Sequence, residues 1–266
     1  MVSVKSLFDL KERSAIVTGA AGFLGGAISH AFSEAGANVA LVDRVSTENQ
    51  LDQLPQSGNQ THKSILVDLA CEKDCKALPK DIVNSLGSLD IVVNCAAFVG
   101  TENLEGWTSS VESQSIETWR ESLEVNLTAP FILTQAALPY LKQSVNASVI
   151  NIGSIYGVLG PDWSLYDDSD ICGTPAAYGA AKGGLMQMTR WLATTLAPSI
   201  RVNAIVPGGV ERNTPERFKN AYASRTPLGR MATEDDMIGA ALFLASNASS
   251  YITGQCLMVD GGWSAW

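Results

Sequence analysis

Positive charge is scarce in this sequence. Eighteen Lys and Arg stand against 27 Asp and Glu, giving a net charge of −9 and a pI near 4.7. Phosphate contacts need basic surface, so the composition argues against a nucleic-acid binder. Histidine is rarer still. His30 and His62 stand alone, with no neighbours that complete a triad or a metal site. The five cysteines, Cys71, Cys75, Cys95, Cys172 and Cys256, are scattered and odd in number. They read as reduced structural thiols. Cys71 and Cys75 share helical spacing, but no second pair or nearby His makes a metal site, and no metal is expected. No run of 18 apolar residues is present, so no membrane span is expected. Residues 1–9 lack a long apolar core and a cleavage pattern, which makes a cytoplasmic location the default. Repeats, low-complexity tracts and interdomain linkers are also lacking. With 46% apolar residues and alternating strand and helix signals, the expectation is one α/β domain over residues 1–266.

What is present centres on residues 154–182. Tyr178 and Lys182 are four apart in a segment rich in Ala, Gly, Leu and Met. On a helix both side chains lie on one face. An unperturbed phenol has a pKa of about 10, too high for efficient proton transfer near neutrality. A cation within a few ångströms favours the phenolate and lowers that value by roughly 1–3 units. Ser154, at the end of an apolar run, supplies a hydroxyl to hold a substrate oxygen. The stretch reads as a proton-transfer device for a carbonyl or alcohol.

The N-terminal part reads as the complement. Ser14–Thr18 is a short apolar run that ends in a Gly-rich turn with Gly19, Gly22 and Gly25. Residues 27–36 have helical periodicity, and Asn38–Asp43 is a second buried strand. Glycines in such a turn let the backbone approach a pyrophosphate, and the following helix aims its N-terminus at it. Asp43, 18 residues after Gly25, would accept both ribose hydroxyls and repel a 2′-phosphate. That favours NAD over NADP, with Arg44 softening the preference. Asp68 ends a third strand, 64–68, and is read equally as an adenine contact or a helix cap. A helix follows over 72–86, interrupted or started late by Pro79. A fourth strand covers 89–97, and its small C-terminal residues suggest close approach by a ligand. Residues 98–113 read as loop, 115–126 as helix, and a long apolar helix runs on to Lys142. Asn126 would break the helical pattern or bind water. Residues 147–152 and 200–206 are further strands, the second closed by Pro207-Gly208-Gly209-Val210. Residues 213–226 are polar and read as a lid candidate. A last strand lies at 255–259. The βα alternation predicts a doubly wound parallel sheet of about seven strands.

These pieces together resemble the short-chain dehydrogenase/reductase family over nearly the whole chain. The resemblance is carried by Thr18-Gly19 and its turn, Asp68, Asn94-Cys95-Ala96-Ala97, Asn126, Ser154, Tyr178-x-x-x-Lys182, Pro207-Gly208 and Asp260-Gly261-Gly262. It implies a single-domain Rossmann fold and an oxidoreductase that exchanges a hydride between a nicotinamide and a secondary alcohol or ketone. It implies Tyr178 as acid/base and Lys182 as the group that lowers its pKa and binds the nicotinamide ribose. Ser154 would position the substrate oxygen, and Asn126 would hold a water of a proton relay. Gly19, Gly22, Phe23, Leu24 and Gly25 would surround the diphosphate; Asp43, Arg44, Asp68, Leu69, Asn94 and Ala96 the adenosine; Pro207, Gly208 and Val210 the carboxamide side. It also suggests a tetramer or dimer.

Three features depart from the family pattern. Phe23 stands where the main branch has glycine, with the middle glycine at Gly22. Arg212 stands where many relatives have Thr. Ser154 and Tyr178 are 24 apart, about twice the spacing of main-branch relatives. The inserted segment, 160–170, carries Trp163, Tyr166, Asp162, Asp167, Asp168 and Asp170. It resembles insertions in the subgroup associated with flagellin modification and acidic-sugar biosynthesis. Aromatic faces and carboxylates suit a polyhydroxylated ligand, so a sugar-like substrate is expected, with Tyr156, Trp163 and Tyr166 as candidate contacts. The alternatives are a reductase of 3-oxoacyl or small hydroxy-ketone substrates and a catalytically silent nucleotide-binding regulator.

Overall fold

The computed structural model describes residues 3–56, 58–99, 104–166 and 173–266. One sheet is built from β1 (Ser14–Thr18), β2 (Asn38–Asp43), β3 (Lys63–Leu66), β4 (Ile91–Asn94), β5 (Ala147–Ile152), β6 (Ile200–Pro207) and β7 (Cys256–Val259). Every pairing is parallel, in the order β3-β2-β1-β4-β5-β6-β7. The strands are apolar runs because helices cover both faces. The pleat sorts their side chains by parity. Ile16, Ala40, Val92, Val149 and Val202 face one core, and Ala15, Val17, Val39, Ile91 and Ile150 face the other.

The helices are α1 (Val4–Leu7), α2 (Phe23–Glu34), α3 (Glu48–Asp52), α4 (Glu72–Leu86), α5 (Ile116–Leu123), α6 (Ala129–Leu141), α7 (Ala176–Leu196), α8 (Glu216–Arg225) and α9 (Asp235–Ala245). α4, α6 and α7 cover the first core through Leu78, Ile82, Leu133, Leu141 and Leu192. α2 and α9 cover the second through Ile28, Phe32, Met237 and Leu244. The strand order reverses between β1 and β4, and that is where an open α/β sheet leaves a crevice at its carboxyl edge.

Several boundaries differ from the sequence reading. The helix after the Gly-rich turn begins at Phe23 rather than 27, because the turn itself supplies the first helical residues, with Gly22 as N-cap. β4 stops at Asn94 rather than continuing to 97. Beyond it, the Cys95 and Ala96 N–H groups both donate to Thr18 Oγ1 (3.0 Å each), so a side chain ends the ladder. Pro79 lies inside α4 without interrupting it. α5 ends at Leu123 and passes through a π-helical turn, Glu124–Thr128, into α6. The 213–226 segment holds α8. His30 is exposed on α2. His62 is half-buried, with Nδ1 accepting the Val39 N–H (3.2 Å). Among the described residues, no helix is long and apolar enough to cross a membrane.

Candidate active site

A cleft of about 660 Å³ opens at the carboxyl edge of the sheet across the β1/β4 switch point. Its floor is the Gly-rich turn. Gly19 has φ +70°, and a Cβ there would lie 2.7 Å from the Ala96 Cα. A Cβ on Gly25 would lie 2.2 Å from the Gly19 carbonyl oxygen. Both positions therefore demand glycine, one for backbone conformation and close approach, the other for packing the helix against the turn. Asp43 clamps this turn. Its Oδ2 accepts the Ala21 N–H (3.0 Å), and its Oδ1 accepts the Val45 N–H (3.2 Å). Gly19, Gly22, Phe23, Leu24 and Gly25 line the cleft. So do Asp43, Arg44, Asp68, Leu69 and Ala96. Asp68 accepts the Ala70 N–H (3.0 Å) but does not cap the following helix, whose N-cap is Cys71.

The far end carries Ser154, Tyr178 and Lys182, with Pro207, Gly208 and Val210 beside them. Ser154 follows β5 and caps a short 3-10 turn, Ile155–Gly157, by accepting the Tyr156 N–H (3.2 Å). That turn packs directly on α7: a Cβ on Gly157 would lie 2.7 Å from the Lys182 carbonyl carbon. The close approach sets the Ser154 hydroxyl on the same side of the cleft as the Tyr178 phenol. Lys182 is fully buried, and its ammonium donates to the Ile152 carbonyl (2.7 Å). Its Nζ lies 5.7 Å from the centre of the Tyr178 ring.

The electrostatics are those of a low-dielectric site. Burial pushes the Lys182 ammonium down to about 8, opposed by Cys95. Burial raises Tyr178 above the ordinary phenol value, while the Ser154 hydrogen bond and the Arg212 charge pull it down. The protein groups alone thus leave the phenol protonated at neutral pH. The lowering expected from Lys182 is not the dominant influence; desolvation outweighs the nearby charge and hydrogen bond. The Cys95 thiol, in the cleft wall, is pushed up to about 11 by burial and stays neutral.

Five candidate residues do not line the cleft. Asn94 is buried, and its Nδ2 donates to Asn151 Oδ1 (2.8 Å), whose own Nδ2 donates to Thr189 Oγ1 (2.8 Å). This chain ties β4 and β5 to α7, the helix that carries Tyr178 and Lys182. Asn126 is buried in the π-helical turn. Its Oδ1 accepts the Phe98 N–H (2.9 Å), and its Nδ2 donates to the Phe98 carbonyl (2.9 Å) and Ser122 Oγ (3.1 Å). The pattern break expected there is present, and the amide braces Phe98, which lines the cleft. Tyr156, Trp163 and Tyr166 are the other three. Tyr166 packs with Leu165, Phe218, Tyr222 and Met231, while Tyr156 packs with Ile155, Met186 and Val206. Asp167, Asp168 and Asp170 of the insertion lie outside the described residues.

Arg212 is the functional candidate that the sequence marked only as a departure. It lines the cleft opposite the Gly-rich turn, with its guanidinium carbon 4.9 Å from the Phe23 ring centre. Its Nε donates to Glu234 Oε1 (3.0 Å). The signal was its offset, two residues after Val210.

Comparison with known proteins supports the same assignment. A family model described as enoyl-(acyl carrier protein) reductase matches residues 19–264. The protein named "Probable galactose dehydrogenase GalD" of Rhizobium meliloti is 34% identical over 264 residues, covering 96% of each chain. This chain belongs to the short-chain dehydrogenase/reductase family. It is an oxidoreductase. Two solved structures of the family superpose closely. One, provisionally described as an NAD(P)-dependent gluconate 5-dehydrogenase from Beutenbergia cavernae, holds NADP at low occupancy; it has a TM-score of 0.84 and 30% identity, covering 98% of this chain and 100% of that one. The other is a short-chain dehydrogenase from Leptospira borgpetersenii with bound NAD+, with a TM-score of 0.83 and 29% identity, covering 99% and 97%.

Proposed function

We propose that the protein transfers a hydride between NAD(H) and a secondary alcohol or ketone of a sugar or sugar derivative. The observation that carries this reading is the convergence of Ser154, Tyr178 and a buried Lys182 at one end of a cleft whose other end presents Asp43. The residues fit a dinucleotide. Gly19 and Gly25 let the turn pack against Ala96 and against itself with no room for a side chain, which sets the N-terminus of α2 at the cleft, and backbone N–H groups there suit a diphosphate. When bound, the nicotinamide supplies the hydride or takes it up.

The chain's own groups divide the remaining tasks. Ser154 holds the substrate oxygen and stabilises charge that develops on it. Tyr178 gives a proton in reduction and takes one in oxidation. Lys182 holds positive charge beside the phenol and reaches the nicotinamide ribose. Gly22, Phe23 and Leu24 complete the diphosphate cradle. Asp43 accepts the ribose hydroxyls and disfavours a 2′-phosphate, with Arg44 exposed beside it. Asp68, Leu69 and Ala96 flank the adenosine, and Asn94 supports that wall from behind. Pro207, Gly208 and Val210 face the carboxamide. Asn126, at the π-helical turn, is read as the residue that holds a relay water. Tyr156, Trp163 and Tyr166 shape the substrate side. The assembly is read as a homodimer or homotetramer.

Kinship to galactose and gluconate dehydrogenases favours the sugar reading; the description of the family model favours a second reading, reduction of an acyl thioester-linked or small hydroxy-ketone substrate. Fluorescence titration with NADH and NADPH tests the cofactor, and NADH is expected to bind more tightly. A panel of sugars, sugar acids and 3-oxoacyl thioesters, followed at the NADH absorbance band, separates the substrate readings. Turnover confined to the acyl thioesters would overturn the first. No turnover with any substrate, despite NADH binding, would favour a silent regulator.

A further inference from the structure

Helix α8 sends one side chain beneath the loop that follows β6. The Tyr222 hydroxyl oxygen accepts the Gly209 N–H at 2.6 Å. A Cβ on Gly209 would lie 2.8 Å from Tyr222 Cζ, and one on Gly208 would lie 2.9 Å from the Asp260 Cα and 3.1 Å from the Tyr222 oxygen. The glycine pair is a socket for this phenol. Tyr222 is buried and stacks on Trp263 with ring centres 4.3 Å apart and planes at 16°. Burial pushes its pKa up to about 12.

The column continues away from the loop. Tyr222 packs on Phe218 (6.1 Å), Phe218 on Tyr166 (5.5 Å) and Tyr166 on Trp163 (5.9 Å). The Tyr166 and Tyr156 hydroxyls share a hydrogen bond of 2.7 Å, and Tyr156 is two residues from Ser154. Asp162 pairs with Arg225 at the end of α8, and Arg225 donates to Ser164 Oγ (3.3 Å). The described part of the insertion is thus fastened to α8 by rings and an ion pair. None of these rings lines the cleft, whereas Gly208 and Val210, on either side of the bonded Gly209, both do.

We propose that Tyr222 is a positioning residue for the nicotinamide half of the cleft, and that the insertion acts on that half through the aromatic column rather than by touching substrate. This rests on the reading of the cleft as a dinucleotide site. Tyr222→Phe keeps the stacked ring and removes only the acceptor of the Gly209 N–H. The measurement is calorimetric affinity for two probes: NADH, and ADP-ribose, which lacks the nicotinamide ring. NADH affinity is expected to fall about tenfold, the loss of one buried hydrogen bond, while ADP-ribose affinity stays within about twofold. Equal weakening of both, or of neither, overturns the proposal. A wild-type protein that binds neither probe overturns the dinucleotide reading instead. If Tyr222→Phe does not fold, Trp263→Leu, which removes the ring stacked on Tyr222, must give the same selective loss. Tyr166→Phe, which breaks the bond to Tyr156, should give a smaller selective loss of NADH affinity. If it raises the substrate KM with NADH affinity intact, the insertion touches substrate and the column is not its route.

Discussion

The two ends of the cleft are built in different ways. The end around Gly19 and Asp43 is made of neighbours in sequence. One strand, one turn, one helix and the next strand supply its floor and its acidic residue, and the turn closes on itself through the Ala21 N–H to Asp43 bond. The wall behind the other end is assembled from three distant segments: residues 162–166, helix α8 and Trp263 at the C-terminus. The first is held by backbone geometry that tolerates almost no side chain. The second is held by ring packing, which tolerates change as long as volume is kept. Conserving shape is therefore a backbone matter at one end and a side-chain matter at the other.

That contrast can be broken in four ways. The largest effect should come from Tyr178→Phe, at the far end of the cleft. Removing a positioned acid/base group costs about 10²–10⁴-fold in kcat, while NADH affinity should be nearly unchanged; substantial residual turnover would take Tyr178 out of its role. Phe218→Ala comes next. It empties the middle of the aromatic column, where Phe218 is buried, and should cost about 3 kcal/mol of stability. Thermal melting with and without ADP-ribose would read it, and the gain on adding that ligand should match wild type if the two ends are independent. Asp43→Asn should weaken NADH roughly tenfold and relieve the disadvantage of NADPH, with the melting temperature little altered because the Asn oxygen can still accept one N–H. The last test is the response to pH, read by its direction rather than its size. With Tyr178 raised by burial, its base form is scarce at neutrality and grows tenfold per pH unit below its pKa. Alcohol oxidation should therefore rise with pH through 7–9, while carbonyl reduction should not. A flat oxidation profile would contradict this.

Much of the candidate site was legible in the chain. The spacing of Tyr178 and Lys182, the glycines after β1 and the acid ending β2 all depend on local geometry, and each lines the cleft. Asn126 was legible only in half. Its disruption of the helix is a local matter, but its partner Phe98 is 28 residues away in sequence. Asn94 was read against the adenosine ribose, but a strand's end does not reveal which way its last side chain points. Here it points to Asn151. Tyr156, Trp163 and Tyr166 look in sequence like groups offered to a ligand. In the fold they are partners for one another and for α8, which no spacing rule connects to them.

The chain alone was enough to predict the sheet, the Gly-rich turn and the Tyr178–Lys182 pair, because short apolar runs, period-3.6 patterns and turn glycines act over a few residues. It took the packed fold to show that Arg212 faces Phe23 across the cleft, that burial rather than Lys182 dominates the Tyr178 phenol, and that Gly208 and Gly209 are the socket of Tyr222. Each of these depends on which distant groups exclude water from, or fill space beside, a given atom. That is settled when the layers pack together, not by the order of residues along one strand or helix.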